Sequence, residues 1–288
     1  MARYKVRPIV TKYWKPGEDY VEQIIKCAGE KIADGDFIVV SEKAISTALN
    51  NIVDESKVKS TITARLIAKF WMPIIWGYML GRLCHFKPRL LNQLRSFPSD
   101  AGSRHKQVAL QNAGFFQALM FGSEGGIDGS NLPYSYVNLP LKNAQEIAEQ
   151  IRRQFSRNVI VMIVDTDKTT SFRNFHFTHR PKPLRGIFSR GGFIAYVIGR
   201  TFKLKKRSTP LALSGSEIPL EIALEVAEVA NRSRGYGAGR TVWEMADRFK
   251  VKLTDVTWEM LETVRHKPIV IVREQKVKKS YGPSRQES

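Results

Sequence analysis

The chain has 288 residues, of which 46 are lysine or arginine and 27 are aspartate or glutamate, so its formal net charge is +19. With 43% hydrophobic and 25% charged residues, the composition is that of a globular protein and excludes disordered and collagen-like classes. The two cysteines stand far apart in the sequence, which excludes a disulfide framework and a structural zinc site built from them. This length can bury one large core or two smaller ones.

The sequence does not predict export or a membrane span. The N-terminal segment is basic and aromatic but lacks the continuous apolar run of a secretory signal. Residues 70–86 are apolar and aromatic, yet they contain Pro73 and Arg82 and are shorter than the roughly 20 apolar residues that a span requires. We therefore expect a cytoplasmic protein without a membrane contact, in which residues 70–86 form a buried or interface helix with a kink.

The first half of the chain is predicted to contain a helix, a buried strand and a helical region. Apolar residues three and four positions apart predict an amphipathic helix over residues 19–33. The run FIVVSEK at 37–43 combines β-branched and aromatic residues after a turn, which predicts a short buried strand with Ser41 and Lys43 at its end. Residues 58–119 follow a mostly helical pattern.

The second half adds a clear strand, which starts at Asn158 in the run NVIVMIVD and is predicted to end at Asp165, with that carboxylate at the surface. Further helices are predicted at 141–155, 217–231 and 241–249, and a last strand at 268–272. This mixture predicts an α+β fold in which residues 1–275 form the folded unit. Residues 276–288 are polar and basic, which predicts a flexible tail.

The segment 168–216 concentrates positive charge, because it contains eleven lysines and arginines and no acidic residue. Such a segment is either a solvated face or a nucleic-acid footprint. Because it follows Asp165 and Asp167 directly, a third interpretation is that some of its cations contact a phosphorylated ligand held by a metal. The sequence leaves these three interpretations open.

Acidic residues at two places are candidate metal ligands. Asp128 lies among glycines in the loop GSEGGIDGSNLP, where it either forms a turn or lets a ligand approach the backbone closely. Asp165 and Asp167 either cap the next element or hold a ligand at the end of the strand. Together with the Thr166 hydroxyl these carboxylates are hard oxygen donors, which suit Mg²⁺ or Mn²⁺.

A glycine-rich stretch, RGYGAGRT at 234–241, precedes a predicted helix. The backbone amides of Gly235, Gly237 and Gly239 and the positive end of the helix can bind phosphate oxygens. The spacing is not that of a P-loop, and a simple helix-to-helix turn is the competing interpretation.

The histidines give weaker indications. If HFTH is a strand, His176 and His179 point to opposite faces and cannot easily share a metal. Ordinary packing is the default interpretation for both. His105 lies on a predicted helix, and the sequence names no partner for it.

Taken in order, several of these motifs resemble the coenzyme F-420 gamma-glutamyl ligase family, including its archaeal ligase-like relatives. The resemblance covers most of the chain, to about residue 249. The matching motifs are Lys15-Pro16-Gly17-Glu18-Asp19, Gly35-Asp36 with the strand into Ser41-Glu42-Lys43, Gly126-Ile127-Asp128 with Asn131, and Asp165-Thr166.

The resemblance implies a GTP-dependent ligase that uses a divalent metal to join the amine of L-glutamate to a carboxylate of a deazaflavin coenzyme precursor. The implied fold is a two-subdomain α+β arrangement that forms an intertwined homodimer. On this pattern Asp128 and Asp165 resemble metal ligands, and Thr166 resembles a ligand of a second metal. Nucleotide contacts are implied for Ser41, Lys43, Asn131 and the segment Arg7-Pro8-Ile9-Val10.

The sequence also departs from the family pattern. Glu42 separates Ser41 from Lys43 where the family has adjacent serine and lysine, and a late glutamine metal ligand has no clear counterpart. We expect the glycines at 235–239 to take over the phosphate contacts in that part of the site. The acceptor and any catalytic base stay unassigned, and the competing hypothesis is a nucleic-acid-binding or regulatory protein on a diverged ligase scaffold.

Overall fold

A computed structural model describes residues 3–122 and 124–275, so the predicted tail at 276–288 lies outside the described residues. Its strands are β1 (Arg3–Thr11), β2 (Phe37–Ser41), β3 (Ile52–Asp54), β4 (Tyr136–Asn138), β5 (Ile160–Phe172), β6 (Phe175–Thr178), β7 (Ile187–Phe188), β8 (Lys205–Ser214) and β9 (His266–Gln275). Its α-helices are α1 (Tyr20–Ala28), α2 (Glu42–Ala48), α3 (Ile62–Leu66), α4 (Gly81–Leu83), α5 (Pro88–Arg95), α6 (Ser99–Asn112), α7 (Phe115–Ala118), α8 (Ala144–Arg153), α9 (Gly192–Thr201), α10 (Leu220–Arg234), α11 (Val242–Phe249) and α12 (Trp258–Glu262). This mixture agrees with the predicted α+β class.

The central feature is a seven-stranded mixed sheet with the order β1-β9-β2-β5-β6-β7, in which β8 also pairs with β5. Strands β2 and β5 are parallel, whereas β9 pairs antiparallel with both β1 and β2. Strand β9, the last of the described strands, therefore lies between β1 and β2, the first two. Strands β3 and β4 form a separate two-stranded ladder.

Alternating side chains on the buried strands explain why helices cover both faces of this sheet. On β2, Ile38 and Val40 pack in one cluster with residues of α1, α2 and α8. Phe37 and Val39 belong to a different cluster, which includes residues of α10. Because successive side chains of a strand point to opposite faces, a five-residue strand that is buried throughout needs a helical layer on each side.

The aromatic segment 70–86 belongs to a helical region beside the sheet. A π-helix (Ile67–Leu80) contains Pro73 and continues from α3 into α4. It buries Met72 and Trp76 and exposes Phe70 and Ile74, so it is a half-buried helix. In the part of the chain that the structure describes, no helix is both long and apolar enough to cross a membrane.

The prediction that the strand starting at Asn158 ends at Asp165 was wrong. Strand β5 continues to Phe172 and pairs with β8 and β6. Its polar residues are compatible with a buried strand because neighbouring strands satisfy them, as in the 2.9 Å hydrogen bond between the hydroxyls of Thr169 and Thr209. The register against β8 shifts between Asp165 and Lys168, which identifies a β-bulge at this point.

Two further boundaries differ from the predictions. The helix predicted over 19–33 ends at Ala28 and is followed by a 3₁₀ turn (Gly29–Lys31), because glycine weakens a helix. The segment Arg7-Pro8-Ile9-Val10, for which no strand was predicted, lies in β1. Pro8 is tolerated there because β1 is an edge strand that pairs only with β9.

Candidate functional site

The parallel pairing of β2 with β5 ends at Ser41 and Val164, and this geometry creates the candidate site. Ser41 is in register with Val164, so the residues that follow each of them are neighbours. After Ser41 the chain turns into α2, while after Val164 it enters the bulge of β5. Ligands commonly bind at the carboxyl ends of parallel strands. A cavity of about 220 Å³ opens at this edge of the sheet.

The cavity does not include the candidate Asp167, but it brings together nine residues for which metal or nucleotide contacts were predicted. Those residues are the metal candidates Asp128, Asp165 and Thr166, the nucleotide candidates Ser41, Lys43 and Asn131, and the glycines Gly235, Gly237 and Gly239. The segment Arg7-Pro8-Ile9-Val10 does not line it, although Tyr13 and Trp14 just after β1 do. Residues distant in sequence therefore share one site, while their individual roles stay predictions.

Lys43 and Asp128 form an ion pair at the centre of the site. The Lys43 Nζ atom also donates to Ser130 Oγ at 2.7 Å, and the Ser130 amide donates to Asp128 Oδ1 at 2.6 Å. A backbone bridge between Asp128 and Asn138 fixes the loop against β4. The Asp128 side chain is 21% exposed, so a cation in the cavity can reach it.

Asp165 is held by a buried arginine and is not the surface carboxylate that the sequence predicted. It is 7% exposed, and its Oδ2 accepts a hydrogen bond of 2.7 Å from Arg180 Nε. The same guanidinium pairs with Glu42 and donates from Nη1 to the carbonyl of Gly125 at 2.8 Å. Arg180 thus connects α2, the bulge of β5 and the loop that carries Asp128.

The two carboxyl groups on Arg180 have pKa values shifted in opposite directions. Burial raises the pKa of Glu42, although Arg180 opposes this shift. Burial also acts against the ionised form of Asp165, but Arg180, the Asp167 amide and Lys43 together outweigh it and hold the pKa of Asp165 below its ordinary value. Of the two, Asp165 is the carboxyl group that the site favours in its ionised form.

Asn131 determines the shape of the glycine loop at 235–239. Its Oδ1 accepts from the Ala238 amide at 2.6 Å, and its Nδ2 donates to the carbonyls of Tyr236 and Gly239. Gly237 has a φ of +62°, and a Cβ atom there would lie 2.4 Å from Asn131 Oδ1. Only glycine fits this position, so the loop and Asn131 form one packed unit on the wall of the cavity.

The basic segment 168–216 is not a uniformly solvated face. Arg180 and Arg207 are buried, and Arg207 pairs with Glu221. Lys168 pairs with Glu228 at 2.7 Å. These cations are used inside the fold, whereas others in the segment are exposed at the surface.

The structure supplies partners for the histidines. His105 lies between Glu55 at 2.6 Å and Glu124 at 2.7 Å, and Lys106 also pairs with Glu124. Burial opposes the charged imidazole, but the two carboxylates outweigh it and raise the pKa of His105 to about 10. This cluster anchors the start of the loop that leads to Asp128.

His176 and His179 have different neighbours. His176 shares a hydrogen bond of 2.9 Å with Ser171, and His179 lies 3.3 Å from Asp167. Both side chains are buried. Their contacts are those of packed polar residues in the sheet.

The residues of the cavity fit a metal that is bound jointly with a ligand better than a metal in a protein cage. Across the described ranges, no three histidine, cysteine, aspartate or glutamate side chains are grouped for metal binding. Asp128 and Asp165 nevertheless line one cavity with the hydroxyl of Thr166. Mg²⁺ commonly takes one or two carboxylates and completes its shell with waters and phosphate oxygens. The donor set is compatible with that mode of binding.

Trp14, Arg234, His266 and Lys267 are among the lining residues that were not predicted from the sequence. Arg234 ends α10 directly before Gly235, so its position beside the glycine loop was a usable signal. Trp14 and His266 had no local signal, because the pairing of β1 with β9 brings them together from opposite ends of the chain.

The sheet and its polar cavity define an α+β protein with a candidate ligand site where the parallel pairing of β2 and β5 ends. The model of the F420-0:Gamma-glutamyl ligase family matches residues 8–180, more than half of the chain. The chain is also 34% identical to the uncharacterized protein MJ1361 of Methanocaldococcus jannaschii over 293 positions, which cover 97% of this chain and 98% of that protein. The chain belongs to the F420-0:gamma-glutamyl ligase family, and this membership supports a ligase-like function. The cavity wall contributed by residues 234–268 lies beyond the segment that the family model matches.

Proposed function

We propose that this protein is a nucleotide- and divalent-metal-dependent ligase that joins the amine of L-glutamate to a carboxylate of a coenzyme precursor, with GTP as the co-substrate. Membership of the gamma-glutamyl ligase family supports the reaction class. The observation that carries the proposal is that Asp128, Asp165 and Lys43 line one cavity where the parallel pairing of β2 and β5 ends.

The chemistry explains why such a site needs both acidic and basic groups. A carboxylate and an amine do not condense in water unless a carboxylate oxygen becomes a leaving group. Transfer of the γ-phosphoryl group of GTP to that oxygen releases GDP and forms an acyl phosphate. The amine then attacks the carbonyl carbon, inorganic phosphate leaves, and the nitrogen loses a proton to solvent. Asp128, Asp165 and Thr166 would hold Mg²⁺ or Mn²⁺, which shields charge on the phosphate oxygens.

The chain's own cations support binding of an anionic nucleotide. The cavity is lined by four lysines and arginines, against the two carboxylates of Asp128 and Asp165. Lys43 neutralises Asp128 in the described state. When a metal takes that carboxylate, Lys43 becomes available to a phosphate oxygen, and the amine then needs orientation more than acid–base catalysis.

Calorimetric titration tests the proposal. GTP and ATP are titrated in Mg²⁺, in Mn²⁺ and in a chelator, into the wild type, Asp128→Asn and the control Asp100→Asn, whose side chain is 80% exposed on α6. We expect binding only with metal, a loss of about tenfold or more in Asp128→Asn, and no change in Asp100→Asn. Absence of metal-dependent nucleotide binding in the wild type would refute the proposal.

The acceptor and the assembly need separate measurements. Labelled L-glutamate, incubated with the protein, GTP, Mn²⁺ and a metabolite extract, should yield a labelled amide that identifies the acceptor. The homodimer that the family resemblance implies is tested by light scattering. Nucleic-acid binding stays the second hypothesis, but the pairing of Arg180, Arg207 and Lys168 inside the fold leaves fewer cations for a phosphate backbone.

A further inference from the structure

One corner of the cavity contains a polar group that the proposed metal and nucleotide contacts do not use. Trp14 lines the cavity and is 1% exposed, and its indole Nε1 has no hydrogen-bond partner among the described residues. Leaving such a donor buried and unpaired is unfavourable. An acceptor atom on a ligand would remove this cost.

A cation without a carboxylate partner lies in the same corner. Arg234 lines the cavity and donates from Nη2 to Asn231 Oδ1 at 2.7 Å. Within the described ranges it forms no salt bridge, whereas Lys43 and Arg240 of the same cavity are each paired with an acidic residue. Burial lowers the pKa of Arg234 to about 10, so it is charged at neutral pH. Lys267 supplies a second positive charge to this lining.

The Trp14 indole and the Arg234 guanidinium are both close to His266. The rings of Trp14 and His266 meet edge to face with centroids 6.0 Å apart. Burial lowers the pKa of His266 to about 4, and the charge of Arg234 adds to this effect, so the imidazole is neutral. The corner therefore combines an N–H donor with positive charge and contains no carboxylate of its own.

Sheet geometry places the start of β9 two strands away from the bulge of β5, although the charge of Asp165 still acts on Arg234. Strand β9 begins at His266, on the edge where β2 ends, and β2 lies between β9 and β5. Neighbouring strands are about 4.8 Å apart, so the start of β9 and the bulge of β5 are about 10 Å apart. That distance accommodates two ligands side by side along one edge.

We propose that Trp14, Arg234 and Lys267 form an oxyanion subsite that binds a carboxylate or phosphate group of the substrate other than the nucleotide. The indole N–H and the guanidinium donate to the oxyanion, and Lys267 adds positive charge. The assignment of the bound group to the second substrate rests on the proposed ligase function. The binding of an oxyanion at this subsite does not depend on that function.

The test follows the Trp14 indole N–H by NMR while inorganic phosphate or L-glutamate is added. A Trp14→Phe variant identifies the resonance, because it removes the N–H and keeps a ring. We expect either anion to shift this resonance in the wild type. In Arg234→Gln the affinity for that anion should fall by about tenfold or more, as expected for a lost charged hydrogen bond.

Matched controls separate the subsite from the nucleotide site. Arg232→Gln removes a charge from the same helix at an exposed position paired with Glu228, so anion affinity should not change. Arg234→Lys keeps the charge and should recover part of the affinity. In Arg234→Gln the affinity for metal-bound GTP should fall less than the affinity for the small anion.

The outcomes are distinguishable. A response to L-glutamate but not to phosphate identifies a carboxylate subsite, and the reverse identifies a phosphate subsite. The proposal is overturned if neither anion shifts the resonance, if Arg234→Gln binds both anions normally, or if it weakens GTP as much as the small anion. Failure of the wild type to bind GTP would count against the ligase function alone, because the anion titration does not require nucleotide.

Discussion

Arg180 donates from Nε to Oδ2 of Asp165 at 2.7 Å, and both side chains are almost completely buried. Arg180 does not line the cavity, yet it also contacts Glu42 at the start of α2 and the carbonyl of Gly125. It therefore fixes the positions of the three segments that present Lys43, Asp165 and Asp128. We assign it as a positioning residue.

Replacing Asp165 by Asn should affect stability as well as binding. The change removes a buried charge that compensates Arg180, so we expect the free energy of unfolding to fall by about 3 kcal/mol. Metal-dependent GTP binding should be lost, because an amide is a poor substitute for a carboxylate at a divalent metal. Denaturant unfolding and calorimetry measure the two effects. A variant that keeps both its stability and its GTP affinity would remove Asp165 from the site.

The glycine loop offers a matched pair of substitutions. Gly235 and Gly237 both have positive φ values, but a Cβ atom at Gly235 meets nothing within 4 Å. We expect Gly235→Ala to cost about 1–3 kcal/mol of stability for its backbone conformation alone, because a φ of +73° with a ψ of −160° lies in a region that essentially only glycine adopts. Gly237→Ala should cost about 2 kcal/mol more, because its Cβ is forced against Asn131.

A double-mutant cycle identifies the origin of that difference. In an Asn131→Ala background the side-chain oxygen is gone, so Gly237→Ala should cost about as much as Gly235→Ala. Thermal and denaturant unfolding give the free energies of unfolding of the wild type, the two single variants and the double variant. If the penalty of Gly237→Ala were the same in both backgrounds, contact with Asn131 would not be the reason for glycine at this position.

The pH dependence of stability should report on His105. Its pKa is about 10 in the folded protein and about 6.5 in the unfolded chain, so the folded state binds more protons between these values. The stabilisation by the charged imidazole is complete below pH 6.5 and is lost as the pH rises towards 10. His105→Gln should have a smaller loss of stability over this range, as measured by urea unfolding at several pH values. If the stability of the variant and that of the wild type fell equally with rising pH, His105 would not be charged in the folded protein.

Lys43 competes with a metal for Asp128, which leads to two opposite expectations for Lys43→Met. Without nucleotide the variant should bind Mn²⁺ several-fold more tightly, because the charge of Asp128 is no longer neutralised. Its affinity for metal-bound GTP should fall by about tenfold, because a cation near the phosphates is missing. Electron paramagnetic resonance of Mn²⁺ measures the first effect, with Lys57→Met, whose side chain is 82% exposed, as the control. Weaker Mn²⁺ binding in Lys43→Met would contradict the competition.

The sequence predicted those parts of the fold that depend on local patterns. The buried run at 37–43 predicted β2, and the run starting at Asn158 predicted the first half of β5. The second half of β5 was missed because polar residues such as Thr169 are satisfied by hydrogen bonds to other strands, and these partners are not visible locally. Strand β1 was missed for a related reason, since it is an edge strand defined by its pairing with β9.

The candidate site was predictable to the extent that its residues lie in motifs. Lys43, Asp128 and Asp165 each stand next to a turn or strand end, and the structure places them around one cavity. Arg180 was counted only as one cation in a basic segment, because its role depends on carboxylates far away in sequence. Trp14 was treated as part of the entry segment, since nothing near it indicates that the start of β9 lies beside it.

The position of β9 between β1 and β2 constrains the order in which the protein can assemble on the ribosome. The two strands synthesised first have no direct pairing with each other and must wait for the strand that is made last among those described. Until then their facing edges expose unpaired backbone groups, and such long-range pairing is slow. The nascent chain also lacks His266 and Lys267, so the cavity is complete only after β9 has emerged. A protein with this topology cannot complete its cavity before β9 has emerged, and we expect chaperone dependence to last until that point.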